Sequence, residues 1–132
     1  MQKNMKKNNY FLVTKEFVFD SAHYLPYYEG KCENLHGHTY KMHVTVQAEK
    51  NEEHNKSGMA FDFVLLKKAV KENIVNIWDH QLMNDHIENP SAENMAELAW
   101  SILVEQNLPV YEIKLWETPT SFVTYRGGAK FI

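Results

Sequence analysis

Residues 38–49 read His38-Thr39-Tyr40-Lys41-Met42-His43-Val44-Thr45-Val46-Gln47-Ala48-Glu49, and apolar and polar side chains alternate along them. Successive side chains of a β-strand point to opposite faces of its sheet, so this alternation predicts a strand with one buried face. The face that includes His38 would lie in the core. Its apolar residues are Tyr40, Met42, Val44, Val46 and Ala48, and the opposite face carries Lys41, His43, Thr45 and Gln47.

Three further stretches predict strands. Residues 10–20 are rich in aromatic and β-branched residues, which pack well on a pleated surface. Residues 110–117 and 122–125 have the same character and flank a turn at Pro119. Residues 21–35 contain proline and glycine and predict a loop between the first two strands.

Two amphipathic stretches predict helices. Asp62 can cap a helix over residues 63–77, and Ser91 can cap a second helix that ends near Gln106. The order ββ-αα-ββ predicts an α+β domain, an antiparallel four-stranded sheet with both helices on one face. The other face of the sheet also carries apolar and aromatic residues, so we expect it to pack against another subunit.

The composition excludes several classes of protein. A chain of 132 residues is most simply one domain, here residues 10–132 after a polar tail of residues 1–9. A net charge of -3 gives no general attraction to nucleic acid or anionic membranes. The single cysteine cannot form an intrachain disulfide, and no apolar run reaches the roughly 18 residues of a membrane span. We therefore expect a cytoplasmic protein.

The main chemical feature is the segment that joins Cys32 to His36-Gly37-His38. Two histidines that are two residues apart in a strand share a face, and His23 can supply a third imidazole. Three histidines form the ligand set of a catalytic zinc, which keeps a fourth position open. A lone histidine is more often a surface residue and a lone cysteine more often a packed thiol, so the prediction depends on the combination.

Four other positions, of which Asp79 and His80 form a pair, are candidates with an ordinary alternative. Asp79 precedes His80 and could orient it as a general acid/base, although neighbours in sequence need not be bonded in space. Glu117 ends an apolar strand, where it could be solvated or could accept the paired N–H groups of a pterin or guanine ring. Arg126, the only arginine, could bind a phosphate or be a surface charge.

Six motifs together resemble the 6-pyruvoyl-tetrahydropterin synthase / 6-carboxy-tetrahydropterin synthase family over about residues 10–126. They are Phe19-Asp20-Ser21-Ala22-His23, Cys32-x3-His36-Gly37-His38, Asp62-Phe63, Asp79-His80, Pro90-Ser91-Ala92-Glu93-Asn94 and Trp116-Glu117-Thr118-Pro119. The resemblance implies the tunnelling fold, whose subunits commonly form a homohexamer with active sites between them.

The resemblance also implies roles for individual residues. His23, His36 and His38 would be the zinc ligands, and Cys32 would be the base that abstracts a proton. Asp79 and His80 would be its partners in proton transfer, and Glu117 would anchor the pterin. Ser91 and Ala92 lie where the family contacts the pterin ring, and Ala92 lacks the hydroxyl that is sometimes found there.

The implied substrate is 7,8-dihydroneopterin triphosphate. The short Cys-x3-His spacer is similar to that of the carboxy-forming enzyme of queuosine biosynthesis, whose products are 6-carboxy-5,6,7,8-tetrahydropterin, acetaldehyde and triphosphate. No dinucleotide-binding motif is present, so neither nicotinamide nor flavin is expected. Two alternatives remain: the pyruvoyl-forming enzyme, which keeps the carbon chain intact, and a catalytically silent zinc- or pterin-binding module.

Overall fold

The computed structural model describes residues 8–30 and 33–132. Of the predicted tail, therefore, only residues 8 and 9 are described, and Cys32 lies outside the described residues. The strands are β1 Tyr10–His23, β2 His36–Glu49, β3 Gln81–Leu82, β4 Val110–Thr118 and β5 Ser121–Tyr125. The helices are α1 Phe63–Val70, α2 Asn76–Trp78 and α3 Ala92–Glu105.

The sheet has the order β3-β1-β2-β4-β5, and its four long strands pair antiparallel as predicted. The prediction of only four strands was wrong, because the short β3 adds a fifth strand parallel to β1. Ser21 pairs with Gln81 and Ala22 pairs with Leu82. Residues 21–23 were also predicted to be loop, but they continue β1 because all three pair with β2, and Ser21 and Ala22 also pair with β3.

The first predicted helix is a continuous helical segment with a wider turn in its middle. Residues Lys71–Val75 between α1 and α2 form a π-helix. The side-chain amide of Asn73 donates to the carbonyl of Ala69 at 2.7 Å, which occupies the acceptor that the backbone N–H of Asn73 would use in a regular α-helix. Both predicted caps form: Asp62 accepts from the N–H of Val64, and Ser91 accepts from the N–H of Asn94.

The core lies between the helices and one face of the sheet, as the alternation of residues 38–49 predicts. Tyr40, Met42, Val44 and Val46 of β2 are all fully buried. They pack with Phe17, Phe19, Ile113 and Leu115 of the sheet and with Leu66, Val70, Ile74, Met95, Ala99 and Leu103 of the helices. At one end of the sheet, this buried face continues with three polar residues, His23, His38 and Glu117. That end of the core is therefore polar.

The other face of the sheet is part apolar and part basic. Trp116 stacks on Phe122 with ring centroids 4.6 Å apart, and Lys41 lies 4.3 Å from the Trp116 ring. Leu12 and Val18 of β1 are more than half exposed on this face. None of the helices formed by residues 8–30 and 33–132 is long and apolar enough to cross a membrane.

Candidate metal centre and adjoining cavities

The pairing of β1 with β2 brings the three predicted histidines together. His23 lies opposite His36, and Ser21 lies opposite His38. The two Nε2 atoms of His23 and His36 are 3.2 Å apart. The ring centroid of His38 is 5.1 Å from that of His23 and 4.7 Å from that of His36. The three imidazoles thus converge on one point at the end of the buried face.

Glu117 joins the three imidazoles. Its Oε1 atom lies 3.1 Å from Nε2 of His23 and 3.1 Å from Nε2 of His38. One atom from each of the four side chains lies within 4.8 Å of the others. The sequence predicts Glu117 as a solvated strand end or as a pterin contact, and its place beside the histidines is not predicted. The signal for this proximity is the alternation of β4, because Glu117 follows Ile113 and Leu115 on the core face.

Backbone carbonyls fix the orientation of two of the imidazoles. Nδ1 of His23 lies 2.8 Å from the carbonyl of Pro90, and Nδ1 of His36 lies 2.5 Å from the carbonyl of Asn34. A carbonyl can only accept, so each Nδ1 carries the proton, which leaves the Nε2 lone pair of a neutral ring directed into the cluster. A metal-binding histidine has this arrangement, in which the second nitrogen donates to an outer partner.

The third imidazole gives a direct test of whether a metal fits. Nε2 of His38 is buried and has no hydrogen-bond partner within the described part of the chain. When the three Nε2 atoms are unprotonated, they and the carboxylate oxygen are all acceptors, and acceptors at 3.1–3.2 Å repel one another unless a proton or a metal cation lies between them. Imidazole and carboxylate are ligands of zinc and of related divalent metals. The residues present therefore fit such an ion.

The pKa shifts of the cluster residues also indicate that the cluster favours a bound cation. Burial lowers the pKa of His23, but the Glu117 carboxylate and the Pro90 carbonyl outweigh it, so the pKa of His23 is raised. Burial lowers the pKa of His38. The hydrogen bond with His23 is the main cause that lowers the pKa of Glu117. These directions favour a proton shared by His23 and Glu117, and a metal ion would take the place of that proton.

Asp79 and His80 lie at the β3 edge of the sheet and are held by the backbone of Asp20. The N–H of Asp20 donates to Oδ1 of Asp79 at 2.9 Å, and the N–H of His80 donates to the carbonyl of Asp20 at 2.6 Å. Nε2 of His80 is 3.6 Å from Oδ2 of Asp79, longer than a hydrogen bond. His80 has a φ of 58°, and its side chain is 78% exposed. The pair is close in space, and His80 is open to a ligand.

Two cavities meet at the start of β2, and both are lined by Gly37, His38 and Thr39. The first cavity has a volume of about 500 Å³ and extends towards His80. The second has a volume of about 530 Å³ and extends towards Glu117. The first is also lined by Asp20, Ser21, Ala22, Gln81 and Leu82, and the second by Val18, Lys41, Trp116, Thr118 and Pro119. Within one subunit, His80 and Glu117 thus line different cavities on either side of His38.

The remaining predicted residues lie elsewhere. The hydroxyl of Ser91 caps α3, next to the Pro90 carbonyl that binds His23. Nε of Arg126 donates to Glu112 at 2.7 Å. Because β5 runs antiparallel to β4, Arg126 lies at the end of these strands that is farther from Glu117. Neither Ser91 nor Arg126 lines the two cavities.

The sequence analysis missed the role of Asp20, although it quoted the motif that contains it. Oδ1 of Asp20 accepts from the hydroxyl of Thr39 at 2.6 Å across the β1–β2 pair. The backbone of the same residue holds both Asp79 and His80. An acidic residue directly after the apolar stretch Phe17-Val18-Phe19 was the signal available in the sequence.

Comparisons with known proteins agree with this geometry. A family model described as 6-pyruvoyl tetrahydropterin synthase matches residues 12–128. A Haemophilus influenzae protein named 6-carboxy-5,6,7,8-tetrahydropterin synthase is 34% identical, over 88% of this chain and 99% of its own. A Synechocystis protein of the same name is 34% identical, over 87% of this chain and 92% of its own.

A solved structure supports the fold. The structure of 6-pyruvoyl tetrahydropterin synthase from Caenorhabditis elegans is similar with a TM-score of 0.80 and 25% identity. The similarity covers 94% of this chain and 100% of that chain. The predicted α+β class and tunnelling fold are confirmed, with the fifth strand as the difference in detail.

Proposed function

Because this chain belongs to the 6-pyruvoyl tetrahydropterin synthase family, we propose that it converts 7,8-dihydroneopterin triphosphate and one water to 6-carboxy-5,6,7,8-tetrahydropterin, acetaldehyde and triphosphate. The observation that carries the proposal is a convergent set of metal-binding side chains beside two cavities, in a chain whose near full-length relatives are named for that product. The short Cys-x3-His spacer supports a place in queuosine (7-deazaguanine) biosynthesis, and the single cysteine supports a location in the cytoplasm.

His23, His36 and His38 would hold a zinc ion. When bound, zinc lowers the pKa of nearby hydroxyl groups and stabilises negative charge that develops on oxygen. In this proposal the Cys32 thiolate removes a proton from the substrate side chain. His80, exposed and next to Asp79, donates and accepts protons during the rearrangement.

Two further residues would bind the pterin. The Glu117 carboxylate accepts the two N–H donors of the pterin edge from its place in the second cavity. The Ser91 hydroxyl lines neither cavity of its own subunit; it accepts from Asn94 and retains its own proton, which it would donate to a pterin ring bound between subunits. We leave Arg126 out of the proposed site, because Glu112 already binds it and it lies far from Glu117 along β4 and β5.

The product distinguishes this proposal from the alternatives. Zinc-loaded protein incubated with 7,8-dihydroneopterin triphosphate should release one acetaldehyde for each substrate consumed, measured by coupling to alcohol dehydrogenase and NADH. Protein stripped with a chelator is the control and should release none. Consumption without acetaldehyde and with a pyruvoyl product would assign the pyruvoyl-forming reaction. No consumption, with pterin still bound, would assign a silent binding module.

We also propose that the protein is a homohexamer with active sites between subunits. The exposed, partly apolar sheet face supports this, and so does the separation of His80 from Glu117 in different cavities of one subunit. Light scattering at micromolar concentration should give a mass of about six 15.5 kDa chains. A monomeric mass would contradict both the assembly and the shared site.

A further inference from the structure

Glu117 has two possible partners that require the same carboxylate. Its Oε1 atom is 3.1 Å from two imidazole nitrogens of the histidine cluster. Its side chain also lines the cavity in which the proposed function places the pterin. Only 27% of the side chain is exposed, so protein groups surround most of it and the rest faces the cavity.

Three of the distances between potential ligand atoms in the cluster are slightly shorter than those of a tetrahedral four-ligand site. Tetrahedral zinc with bonds of about 2.0–2.2 Å separates its ligand atoms by roughly 3.3–3.6 Å. The His23–His36, His23–Glu117 and His38–Glu117 separations are 3.2, 3.1 and 3.1 Å. The same carboxylate oxygen lies 3.1 Å from Nε2 of His38, which has no hydrogen-bond partner among the described residues, so a cation bound by the imidazoles would also contact Glu117.

We propose that Glu117 is the fourth metal ligand of the substrate-free protein and that pterin binding draws it out of the ligand set. This inference rests on the proposed function for its second half only. The carboxylate would close the metal site at rest, and it would open the fourth position when it turns to the N–H donors of the pterin ring. The site is thereby exposed only when substrate is in place.

The two roles exclude each other for an electrostatic reason. A carboxylate whose oxygen binds a divalent cation has much of its charge neutralised, which makes it a weaker acceptor for the bidentate pair of pterin N–H groups. Binding free energies are reciprocal, so a pterin that withdraws Glu117 must weaken metal binding by the factor by which the metal weakens pterin binding. The coupling can therefore be measured from either side, without turnover.

The test uses the full-length protein loaded with zinc or with cobalt(II). Glu117→Ala and Glu117→Gln remove the carboxylate, and Glu112→Gln is the matched control on the same strand. Zinc affinity is measured by competition with a chromogenic chelator. Thiocyanate, which binds only to an open metal position, is titrated into the cobalt(II) protein and followed by visible absorbance. The pterin probe is unsubstituted pterin, which has no side-chain hydroxyls and cannot itself take the metal position.

We expect both Glu117 variants to bind zinc at least tenfold more weakly than wild type. Loss of an outer partner of a metal ligand typically weakens binding by about tenfold to a hundredfold, and loss of a direct ligand should weaken it at least as much. Thiocyanate should bind Glu117→Ala at least tenfold more tightly than wild type, and Glu112→Gln should match wild type. Unsubstituted pterin should tighten thiocyanate binding to wild type and leave Glu117→Ala unchanged.

Zinc and thiocyanate affinities within twofold of wild type in both Glu117 variants would overturn the inference. If those affinities shift but pterin has no effect, the resting-ligand half stands and the exchange half is wrong. Failure of the proposed function is a separate result: absent acetaldehyde release leaves the zinc and thiocyanate measurements interpretable.

Discussion

A variant in which His36 and His38 are both replaced by alanine should purify without zinc and without turnover. Wild type should contain one zinc per subunit, with Zn–N distances of about 2.0–2.1 Å. The variant retains only His23 and Glu117 from the cluster, and two donors cannot hold the ion at cellular concentrations. Loss of two direct ligands should weaken affinity by far more than the roughly 10–100-fold that an outer partner costs. Elemental analysis of the purified proteins gives the stoichiometry.

The matched control replaces two histidines outside the cluster. His43 is on the opposite face of β2, paired with Glu16 at 2.8 Å and packed against Trp116. His54 lies in the polar connection after β2 and is exposed. The double variant His43→Ala/His54→Ala should keep stoichiometric zinc. Undiminished zinc in His36→Ala/His38→Ala, with the control also loaded, would show that the histidine cluster is not the metal site.

Local sequence patterns were sufficient for most of the elements. The alternation of residues 38–49 predicts the burial of β2 because the period of a strand is a property of the backbone alone. The caps Asp62 and Ser91 predict where the two main helices begin, since each satisfies an N–H that the helix leaves unpaired. These signals lie within a few residues of the structure they specify.

The elements that were missed depend on partners far away in the chain. Ser21 and Ala22 carry no strand signal of their own, and they remain in β1 because β2 and the distant β3 pair with them. Gln81 and Leu82 are too short a stretch to show any alternation. The π-helix occurs where the Asn73 side chain donates to the carbonyl of Ala69, and hydrophobic periodicity does not predict such a side-chain hydrogen bond.

The same distinction between local signals and long-range pairing applies to the candidate site. The spacing of His36 and His38 places them on one face of any strand that contains them. Two other features of the site depend on the register of two strand pairs. They are the position of His23 opposite His36 and the contact of Glu117, on β4, with the histidines. Register is set by the whole sheet, and a shift of one residue would move each side chain to the other face. For this reason the contact of Glu117 with the histidines could not be predicted from the sequence, whereas a substrate contact could be.

Cys32→Ala should lose on the order of 10²-fold or more in kcat, the usual contribution of a general base. Cys32 lies outside the described residues, so the prediction depends on its place in the chain, two residues before Asn34, whose carbonyl fixes His36. A thiolate supplied from this position would act close to the metal without being one of its ligands. Zinc content and the thermal unfolding midpoint should therefore match wild type, and only turnover should fall.

The comparison that decides the role of Cys32 is between two replacements. Cys32→Ser keeps the size and polarity of the side chain but has no accessible anion near neutral pH, so it should be as impaired as Cys32→Ala. A packed thiol behaves differently, because its loss alters the thermal unfolding midpoint while turnover per folded subunit remains close to wild type. Near-normal acetaldehyde release by either zinc-loaded variant would remove Cys32 from the mechanism. The abstracted proton would then require another acceptor, and the exposed His80 beside Asp79 is the first candidate.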